Sequence, residues 1–340
     1  MTEPFVARSV APALPIRMLA LDIDGTLVGD DLVLPDRTRA TIVRAVHRGI
    51  HVSLVTGRMP TSALPFARML ELRDPIVGYQ GALVRAMPGP GSNGQGRLLS
   101  HRPLRADVAR DAVAWARTAG LDPHLNHLEY LVFPDDDPRH EDYSAFLGAR
   151  AVRVPSLDDW IRHPVTKVVA VAPPPRPVVS LEAARRAFAG RADVTVAHPR
   201  FLEFVAPGIS KGRAVRWLAR RHGVELGAVL AIGDQLNDLE MIAAVGHGVA
   251  MPSAPAAVIE VARYLAPPIE VDGAAQVIEE LALGGPRHAA AAAEGYAEAA
   301  AHARAGEVPL APPQLEAAAR EAAALPDAAA AVSGDRATDR

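Results

Sequence analysis

Short apolar runs alternate with amphipathic segments in the first part of the chain, and this rhythm predicts strands and helices in turn. Strands are predicted at residues 18–21, 51–55 and 75–79, and helices at residues 35–47 and 61–72. Strands that alternate with helices pair in parallel and are joined by right-handed crossovers. The pattern therefore predicts an α/β fold built on a doubly wound, Rossmann-like parallel sheet.

The regular alternation of strands and helices stops after residue 83 and resumes near residue 210. Between these points, helices predicted at residues 106–118 and 180–188 are mixed with short strands, which indicates an inserted α+β segment. The strands predicted in this segment are residues 128–133, 166–171, 193–196 and 201–205. The elements predicted after it are helix 211–222, strand 229–232, helix 236–243, strand 248–250 and helix 273–283.

These elements predict a core with a cap inserted into it. The Ala-rich end of the chain has too few large apolar groups to pack a core and is predicted to be largely disordered. The predicted parts are an N-terminal arm at residues 1–15, the core at 16–83 and 207–283, the cap at 84–206, and the tail at 284–340.

A turn-rich stretch at residues 88–96 contains a literal G-x-G-x-x-G at Gly89, Gly91 and Gly94. A dinucleotide-binding fingerprint needs a helix that opens directly after it. Residues 97–100 instead have the pattern of a returning strand, so we interpret the stretch as a hairpin loop.

Composition excludes several classes of function. The chain has 340 residues and a formal net charge of -3, which gives no basic field for a nucleic-acid partner. Cysteine is absent, which excludes disulfides and thiolate metal sites. No apolar run reaches the roughly 20 residues of a transmembrane helix, and the N-terminus lacks an apolar leader region. We therefore expect a cytoplasmic protein without a membrane partner.

Two acidic clusters each follow a short apolar strand. Asp22 and Asp24 follow the first strand, and Asp234 and Asp238 follow a later one. Open α/β sheets bind their ligands at the carboxyl ends of the strands. Two buried carboxylates this close ionise together only with a cation between them. Mg²⁺ fits best, because it takes few protein carboxylates and completes its shell with water and phosphate.

A hydroxyl side chain and an amine side chain lie at the ends of two further secondary-structure elements. Thr56 follows the second strand, and Lys211 opens a helix, whose N-terminus favours anions. Only two lysines occur in the chain, Lys167 and Lys211. Each signal alone has an ordinary explanation, since Thr56 could sit in a simple turn and Ser210 could only cap the helix. Together with the acidic clusters they predict a phosphate site.

With these residues placed, the chain resembles the haloacid dehalogenase superfamily of phosphohydrolases over roughly residues 16–283. Within the superfamily it is most similar to the Cof-type branch, which carries a large α/β cap between the second and third motifs. The four matching motifs are Asp22-Ile23-Asp24-Gly25-Thr26-Leu27, Thr56-Gly57-Arg58, Ser210-Lys211-Gly212 and Gly233-Asp234-Gln235-Leu236-Asn237-Asp238.

The resemblance implies a role for each acidic residue. Asp22 would attack phosphorus and form an aspartyl-phosphate, and Asp24 would act as general acid and then general base. Mg²⁺ would be held by the Asp22 carboxylate, the Asp24 backbone carbonyl and Asp234. Asn237 and Asp238 would orient this metal shell.

The resemblance also implies residues that bind the substrate phosphate. Thr56 and Lys211 would neutralise the transferring phosphoryl group. Gly57, Arg58 and Asn237 would contribute further phosphate contacts.

The chain departs from the family pattern at two loops near the expected cap entrance. Gln80-Gly81-Ala82 replaces a common Asn-Gly-Ala, and Met251-Pro252-Ser253-Ala254 replaces a common Met-Gly-Asn-Ala. Gln80 remains a candidate substrate contact, whereas Ser253 is not taken as one.

Several polar residues of the predicted cap have no assigned role. Lys167 either faces the active site or pairs at the surface. Six other polar residues of the cap could suggest a second metal site, but their spacing does not match standard metal-ligand spacing, so a solvated surface loop is the preferred interpretation. The group is His124, His127, Asp135, Asp136, Asp137 and His140.

The resemblance predicts a Mg²⁺-dependent phosphatase acting on a small phosphorylated metabolite. Sugar phosphates, flavin mononucleotide or its precursors, and pyridoxal phosphate all suit this branch. Phosphotransfer in sugar-phosphate metabolism is one alternative, and a non-catalytic ligand-binding module on the same fold is another. Nothing in the pattern requires a homodimer, although one is compatible with it.

Overall fold

The computed structural model describes residues 13–89, 91–92, 94–139, 150–173, 181–198 and 200–284. Most of the predicted arm, nearly all of the predicted tail, and His140 lie outside the described residues. In the described part of the chain, no helix is long and apolar enough to cross a membrane.

The elements follow one another in chain order as follows. The strands are β1 (Met18–Leu21), β2 (His51–Leu54), β3 (Ile76–Gly78), β4 (Leu83–Arg85), β5 (Leu98–His101), β6 (Asp122–His127), β7 (Tyr130–Pro134), β8 (Arg150–Val154), β9 (Lys167–Val171), β10 (Asp193–His198), β11 (Phe201–Val205), β12 (Val229–Gly233), β13 (His247–Ala250) and β14 (Tyr264–Leu265). The helices are α1 (Asp36–His47), α2 (Pro60–Met69), α3 (Ala106–Thr118), α4 (Leu157–Trp160), α5 (Leu181–Ala187), α6 (Lys211–His222), α7 (Leu239–Ala244), α8 (Ala256–Val261) and α9 (Gly273–Leu281).

The predicted doubly wound α/β fold is confirmed. Five parallel strands form one sheet in the order β14-β13-β12-β1-β2. In β1, which lies between β12 and β2, Leu21 is opposite Ile232 on one side and Leu54 on the other. Because the strands are parallel and in register, the residues that follow β1, β2 and β12 meet at one edge of the sheet.

Helices cover both faces of this sheet because successive side chains of a strand point to opposite faces. Leu19 and Leu21 pack into a core that includes Ile42 of α1. Met18 and Ala20 pack into a second core formed mainly with α6 and α7. All four β1 side chains are fully buried, so the strand that precedes Asp22 is rigidly held on both sides.

A second sheet has six strands in the order β10-β11-β9-β6-β7-β8, and its pairings are antiparallel except for β7 with β8. Helices α3 and α5 pack on one face through Val108, Ala112 and Ala184. On the other face, Leu131 and Phe133 share a small apolar cluster with Tyr79 and Leu83. The second sheet is therefore covered on one face by helices and contacts the residues after β3 with the other. The domain limits themselves remain a proposal.

The third predicted strand does not extend the parallel sheet. β3 pairs with β4 and β5 in a small antiparallel sheet. A parallel bridge from Val55 to Val77 and the bond from Thr56 N to Val77 O, 3.0 Å, connect it to β2. A short apolar run does not reveal its pairing partner, which explains this error.

The segment before residue 128 was not predicted as a strand, yet β6 and β7 form a hairpin there. The strand predicted at residues 128–133 begins only at Tyr130, because Leu128 adopts a left-handed conformation in the turn, with φ 53°. The helix predicted at residues 236–243 is also divided. A 3-10 turn at Leu236–Asp238 precedes α7.

Candidate active site

Asp22 lies directly after β1 at the carboxyl edge of the parallel sheet. Its amide continues the sheet by donating to Ile232 O over 3.1 Å, and the residue is 5% exposed. Lys211 places its Nζ 2.8 Å from Asp22 Oδ1. It is the first residue of α6, whose N-cap Ser210 accepts a bond from the Arg213 amide. The strand end and the helix start therefore bring these two charges together.

Asp238 holds the other side of this lysine. Its Oδ1 lies 2.6 Å from Lys211 Nζ, and its Oδ2 accepts from the amides of Asp234 and Gln235 at 3.1 and 3.0 Å. Both carboxylate oxygens of Asp238 are thus engaged within the protein. Asp238 therefore holds Lys211 and the loop after β12 in place.

Asp234 is held by two neighbours whose contribution the sequence had not indicated. Thr26 donates its hydroxyl to Asp234 Oδ1 over 3.3 Å, and the Gln235 amide group donates to Oδ2 over 3.0 Å. Both lie inside the sequence motifs around the acids, but only the fold shows which atoms they contact. Gly25 approaches the same carboxylate so closely that a Cβ there would lie 2.2 Å from Asp234 Oδ2.

Among the described residues, this cluster places three buried carboxylates around one ammonium. Burial raises the pKa of Asp22 well above its usual range, and the carboxylates of Asp238 and Asp234 add to the rise while Lys211 opposes it. Burial, with the Asp238 charge, raises the pKa of Asp234 to about 7. Burial disfavours the charged form of Lys211, but attraction to Asp22 and Asp238 outweighs it and raises the pKa of that ammonium.

This arrangement fits a divalent cation. Carboxylate oxygens of Asp22, Asp234 and Asp238 lie within 4.8 Å of one another, against the single ammonium of Lys211. A bound cation would offset both the burial and the mutual repulsion that raise the pKa values of Asp22 and Asp234. An all-oxygen donor set suits Mg²⁺ rather than a metal that prefers nitrogen or sulfur. Asp22 and Asp234 remain the candidate ligands, because Asp238 is already occupied.

The Asp24 side chain is bound by Arg58. The guanidinium donates from Nε to Asp24 Oδ2 over 2.8 Å and from Nη2 to Oδ1 over 2.5 Å. The hydrogen bond and charge of Asp24 raise the pKa of Arg58. Both oxygens of the Asp24 carboxylate are therefore engaged by Arg58. The Asp24 side chain is half exposed.

Thr56 is fully buried at the end of β2 and lies beside the strained turn after β3. Its hydroxyl accepts from the Arg58 amide over 3.2 Å, and its carbonyl accepts from the Gln80 amide over 3.0 Å. Tyr79 and Gln80 both have left-handed backbone, with φ 51° and 59°. Residues other than glycine rarely adopt this backbone conformation, and such backbone strain is concentrated at functional sites.

Gln80 and Gly57 are in close contact, whereas Asn237 is not part of the packed site. A Cβ at Gly57 would lie 2.5 Å from Gln80 Nε2, so a side chain at position 57 would require the end of the Gln80 side chain to move. Gln80 Oε1 is buried and makes no hydrogen bond with any described residue. Asn237 is exposed in the turn before α7. Its predicted role in the metal shell or at the phosphate remains a prediction.

Cap residues differ from their predicted setting. The surface-loop interpretation is wrong for His124, which is 2% exposed in β6, and for His127, which lies in the same strand. Asp137 is also largely buried, while Asp135 and Asp136 are exposed as predicted. The sequence did not indicate that β6 pairs with β9, where His124 lies opposite Val169, and His127 at the end of β6 is half-buried. Burial lowers the pKa of His124 to about 3 and that of His127 to about 4.

Lys167 does not pair at the surface. It forms a buried ion pair with Glu203 of the neighbouring strand β11, and its Nζ lies 5.3 Å from the centre of the Tyr79 ring. Tyr79 is adjacent in sequence to Gln80. The second lysine of the chain therefore lies on the face of the cap sheet that contacts the turn beside Thr56.

Comparisons with known sequences all indicate hydrolases and phosphatases. A sequence model of haloacid dehalogenase-like hydrolases matches residues 19–278. The chain is 28% identical over 269 residues to 5-amino-6-(5-phospho-D-ribitylamino)uracil phosphatase YitU of Bacillus subtilis, covering 77% of this chain and 96% of that protein. It is 29% identical over 245 residues to HMP-PP phosphatase of Serratia proteamaculans, covering 70% of this chain and 84% of that protein.

Comparison with solved structures agrees. A haloacid dehalogenase-like hydrolase from Bacteroides thetaiotaomicron superposes with a TM-score of 0.68 at 27% identity, covering 78% of this chain and 99% of the other. TM0651 from Thermotoga maritima superposes with a TM-score of 0.67 at 24% identity, covering 78% and 97%.

Proposed function

The chain belongs to the haloacid dehalogenase-like hydrolases, and we propose that it hydrolyses a small phosphomonoester with Mg²⁺ through a phosphoaspartate on Asp22. The enzyme class is that of a phosphatase acting on small phosphorylated substrates. The observation that carries the finer proposal is the position of Lys211 between Asp22 and Asp238, beside Asp234. One ammonium among three carboxylates offers a nucleophile, a metal site and a counter-charge for a phosphoryl group.

The reaction would proceed in two displacements. In the first, an Asp22 carboxylate oxygen attacks phosphorus, the bond to the leaving oxygen breaks, and that oxygen takes a proton from Asp24. In the second, water attacks the phosphorus of the phosphoaspartate and gives a proton to Asp24. Inorganic phosphate leaves and the Asp22 carboxylate is restored. Lys211 and Thr56 would stabilise the phosphoryl charge in both steps.

Mg²⁺ would be held by the carboxylates of Asp22 and Asp234 and the backbone carbonyl of Asp24. When bound, it supplies positive charge opposite the phosphoryl oxygens. Asp238 acts on this centre by holding Lys211 and the amides of the loop after β12. Asp238 is therefore proposed as a positioning residue rather than a ligand.

The Arg58–Asp24 ion pair adds a step to this scheme. Arg58 occupies both carboxylate oxygens of Asp24, so Asp24 must leave Arg58 before either oxygen can pass a proton to the substrate. A substrate phosphate would compete for the same guanidinium, because phosphate also binds its two N–H groups. We infer that phosphate binding transfers Arg58 from Asp24 to the substrate and frees the acid.

The polar face of the cap sheet is proposed to recognise the rest of the substrate. Lys167 and Glu203 form a buried pair there, and Asn126, directly opposite Lys167 in the strand pairing, has a buried Oδ1 without a described hydrogen-bond partner. These groups suit a leaving group that carries hydroxyl or amino functions. The flavin-precursor phosphate of one relative and sugar phosphates both meet that description.

The test of the chemistry is Asp22→Asn, which keeps the shape of the side chain. With p-nitrophenyl phosphate and Mg²⁺, we expect turnover to fall at least about a thousandfold, as for the loss of other covalent nucleophiles. Mass spectrometry of acid-quenched wild type should find phosphate on Asp22. Full turnover by the variant would show that the mechanism is wrong. Asp24→Asn serves as the comparison, because it should slow both displacements while leaving the nucleophile in place.

Two further measurements address the alternatives. Free phosphate release, compared with transfer to an added sugar, separates hydrolysis from phosphotransfer. A phosphate-release screen over sugar phosphates, flavin mononucleotide, the ribitylaminouracil phosphate and pyridoxal phosphate would identify the substrate class. A non-catalytic module would release no phosphate from any of them. The retained Asp24 and Asp234 argue against that alternative.

A further inference from the structure

Two histidines and one aspartate meet at the edge of the parallel sheet opposite the candidate active site. His51 is the first residue of β2, Asp74 precedes β3, and His222 is the last residue of α6. Thr56 stands beyond the other end of β2, about 16 Å of extended chain away from His51. The cluster is therefore separate from the carboxylates around Asp22.

The donor atoms of this cluster have the spacing of ligands around a small metal ion. His51 Nδ1 lies 3.1 Å and His222 Nε2 3.5 Å from the same oxygen, Asp74 Oδ1. The three donor atoms lie within 4.8 Å of one another. Two ligands on a tetrahedral zinc ion, each bonded at 2.0–2.1 Å, lie about 3.3 Å apart. The two observed distances to Asp74 Oδ1, 3.1 and 3.5 Å, lie on either side of this separation.

The surroundings fix the ligands in the way that metal sites require. Asp74 Oδ2 accepts from the Val52 amide over 2.8 Å, which turns Oδ1 towards both imidazoles. The side chains of Asp74 and His222 are 15% and 13% exposed. A supporting hydrogen bond of this kind orients a ligating carboxylate.

One nitrogen of the cluster has no hydrogen bond. His222 Nε2 is buried and has no hydrogen-bond partner among the described residues. Buried polar atoms are normally satisfied, and an exception calls for a water or an ion. Burial also lowers the pKa of His222, which favours the neutral imidazole that binds metals.

We propose that His51, Asp74 and His222 bind a Zn²⁺-type transition metal ion, with a fourth position open to water. Two imidazole nitrogens and one carboxylate oxygen favour such an ion over Mg²⁺. The two rings lie 4.0 Å apart with a tilt of 30°, and on a shared ion their centres would lie about 5 Å apart. His51, the most exposed of the three, has room to swing outward by the difference.

The ion would join β2, the loop before β3 and the end of α6. Helix α6 begins at Lys211 and ends at His222, so the ion would fasten the far end of the helix that carries the active-site lysine. The site does not depend on the proposed phosphatase chemistry, and its failure would leave that chemistry untouched.

The test is metal binding by the whole protein after chelation and dialysis. We expect wild type to bind one zinc ion that His51→Ala, His222→Ala and Asp74→Asn bind at least tenfold more weakly by calorimetry. Co²⁺ should give the strong visible absorption of a tetrahedral nitrogen-ligated ion in wild type and not in these variants. The weak spectrum of an all-oxygen site would indicate binding at the Asp22 cluster instead and would contradict the proposal.

His47→Ala is the matched control. His47 is a nearby exposed histidine that pairs with Glu71 over 3.0 Å and is not part of the cluster. Its variant should bind zinc as wild type does. Circular dichroism and the midpoint of thermal unfolding report whether each variant is folded. Absence of zinc binding by wild type, or equal binding by the folded variants, would overturn the proposal and leave a hydrogen-bonded His–Asp pair.

Discussion

Gly25 and Asp234 are packed so tightly that the glycine has no room for a side chain. A Cβ at Gly25 would lie 2.2 Å from Asp234 Oδ2 and 2.6 Å from its Cγ. The glycine also has φ 73°, a left-handed conformation. The turn after Asp22 and the carboxylate after β12 therefore determine each other's positions, although they are far apart in sequence.

Gly25→Ala should displace Asp234 and weaken Mg²⁺ binding. Gly49→Ala is the matched control, because Gly49 has φ 79° but no atom within 4 Å of the added Cβ. Both variants should lose about 1 kcal/mol from backbone strain. Only Gly25→Ala should also raise the Mg²⁺ concentration needed for half-maximal activity, by tenfold or more. Equal Mg²⁺ requirements in the two variants would contradict the predicted role of Asp234.

Mg²⁺ should stabilise the folded protein, because it relieves repulsion between buried carboxylates. At a concentration one hundred times its dissociation constant, a ligand of the folded state adds about 2.7 kcal/mol. We expect the midpoint of thermal unfolding to rise with Mg²⁺ and to fall after chelation. In Asp234→Asn the rise should be largely lost. An unchanged Mg²⁺ response in that variant would remove Asp234 from the proposed ligands.

The Lys167–Glu203 pair should affect specificity separately from stability. Lys167→Met leaves Glu203 buried without its partner and should cost about 3–5 kcal/mol, whereas Lys167→Met with Glu203→Met should restore most of the stability. Both variants should lose kcat/KM for the metabolite substrate more than for p-nitrophenyl phosphate. If the double variant has the same kcat/KM as wild type for both compounds, the ion pair has only a structural role.

Acid should destabilise the fold through His124. Its folded pKa is about 3, below the ordinary value near 6.5, so the folded state holds the ring neutral. Below pH 6.5 the unfolded chain takes up the proton, and stability falls with pH until about pH 3. The slope for one proton is about 1.4 kcal/mol per pH unit. Urea unfolding at pH 7 and pH 5 should therefore show a loss about 2 kcal/mol larger in wild type than in His124→Gln. Equal losses would argue against a buried neutral His124.

Local patterns in the sequence determined the parallel core and the general location of its chemistry. Residues 18–21 form a strand because they are all apolar, and Lys211 starts a helix because Ser210 caps it. Since parallel strands end at one edge, the acids that follow β1 and β12 had to meet there. For these elements the sequence contains the needed information within a few neighbouring residues.

Only the tertiary structure decided which side chains contact one another across the chain. The pairing of Asp24 with Arg58, of Thr26 with Asp234 and of Lys167 with Glu203 joins residues far apart in sequence. The same holds for the burial of His124 and for the antiparallel pairing of β3. Apolar and polar periodicity specifies a face of an element, but not the partner that covers it. The partner depends on how loops close and sheets pack over the whole fold, and those long-range choices set the charges, the pKa values and the chemistry of the site.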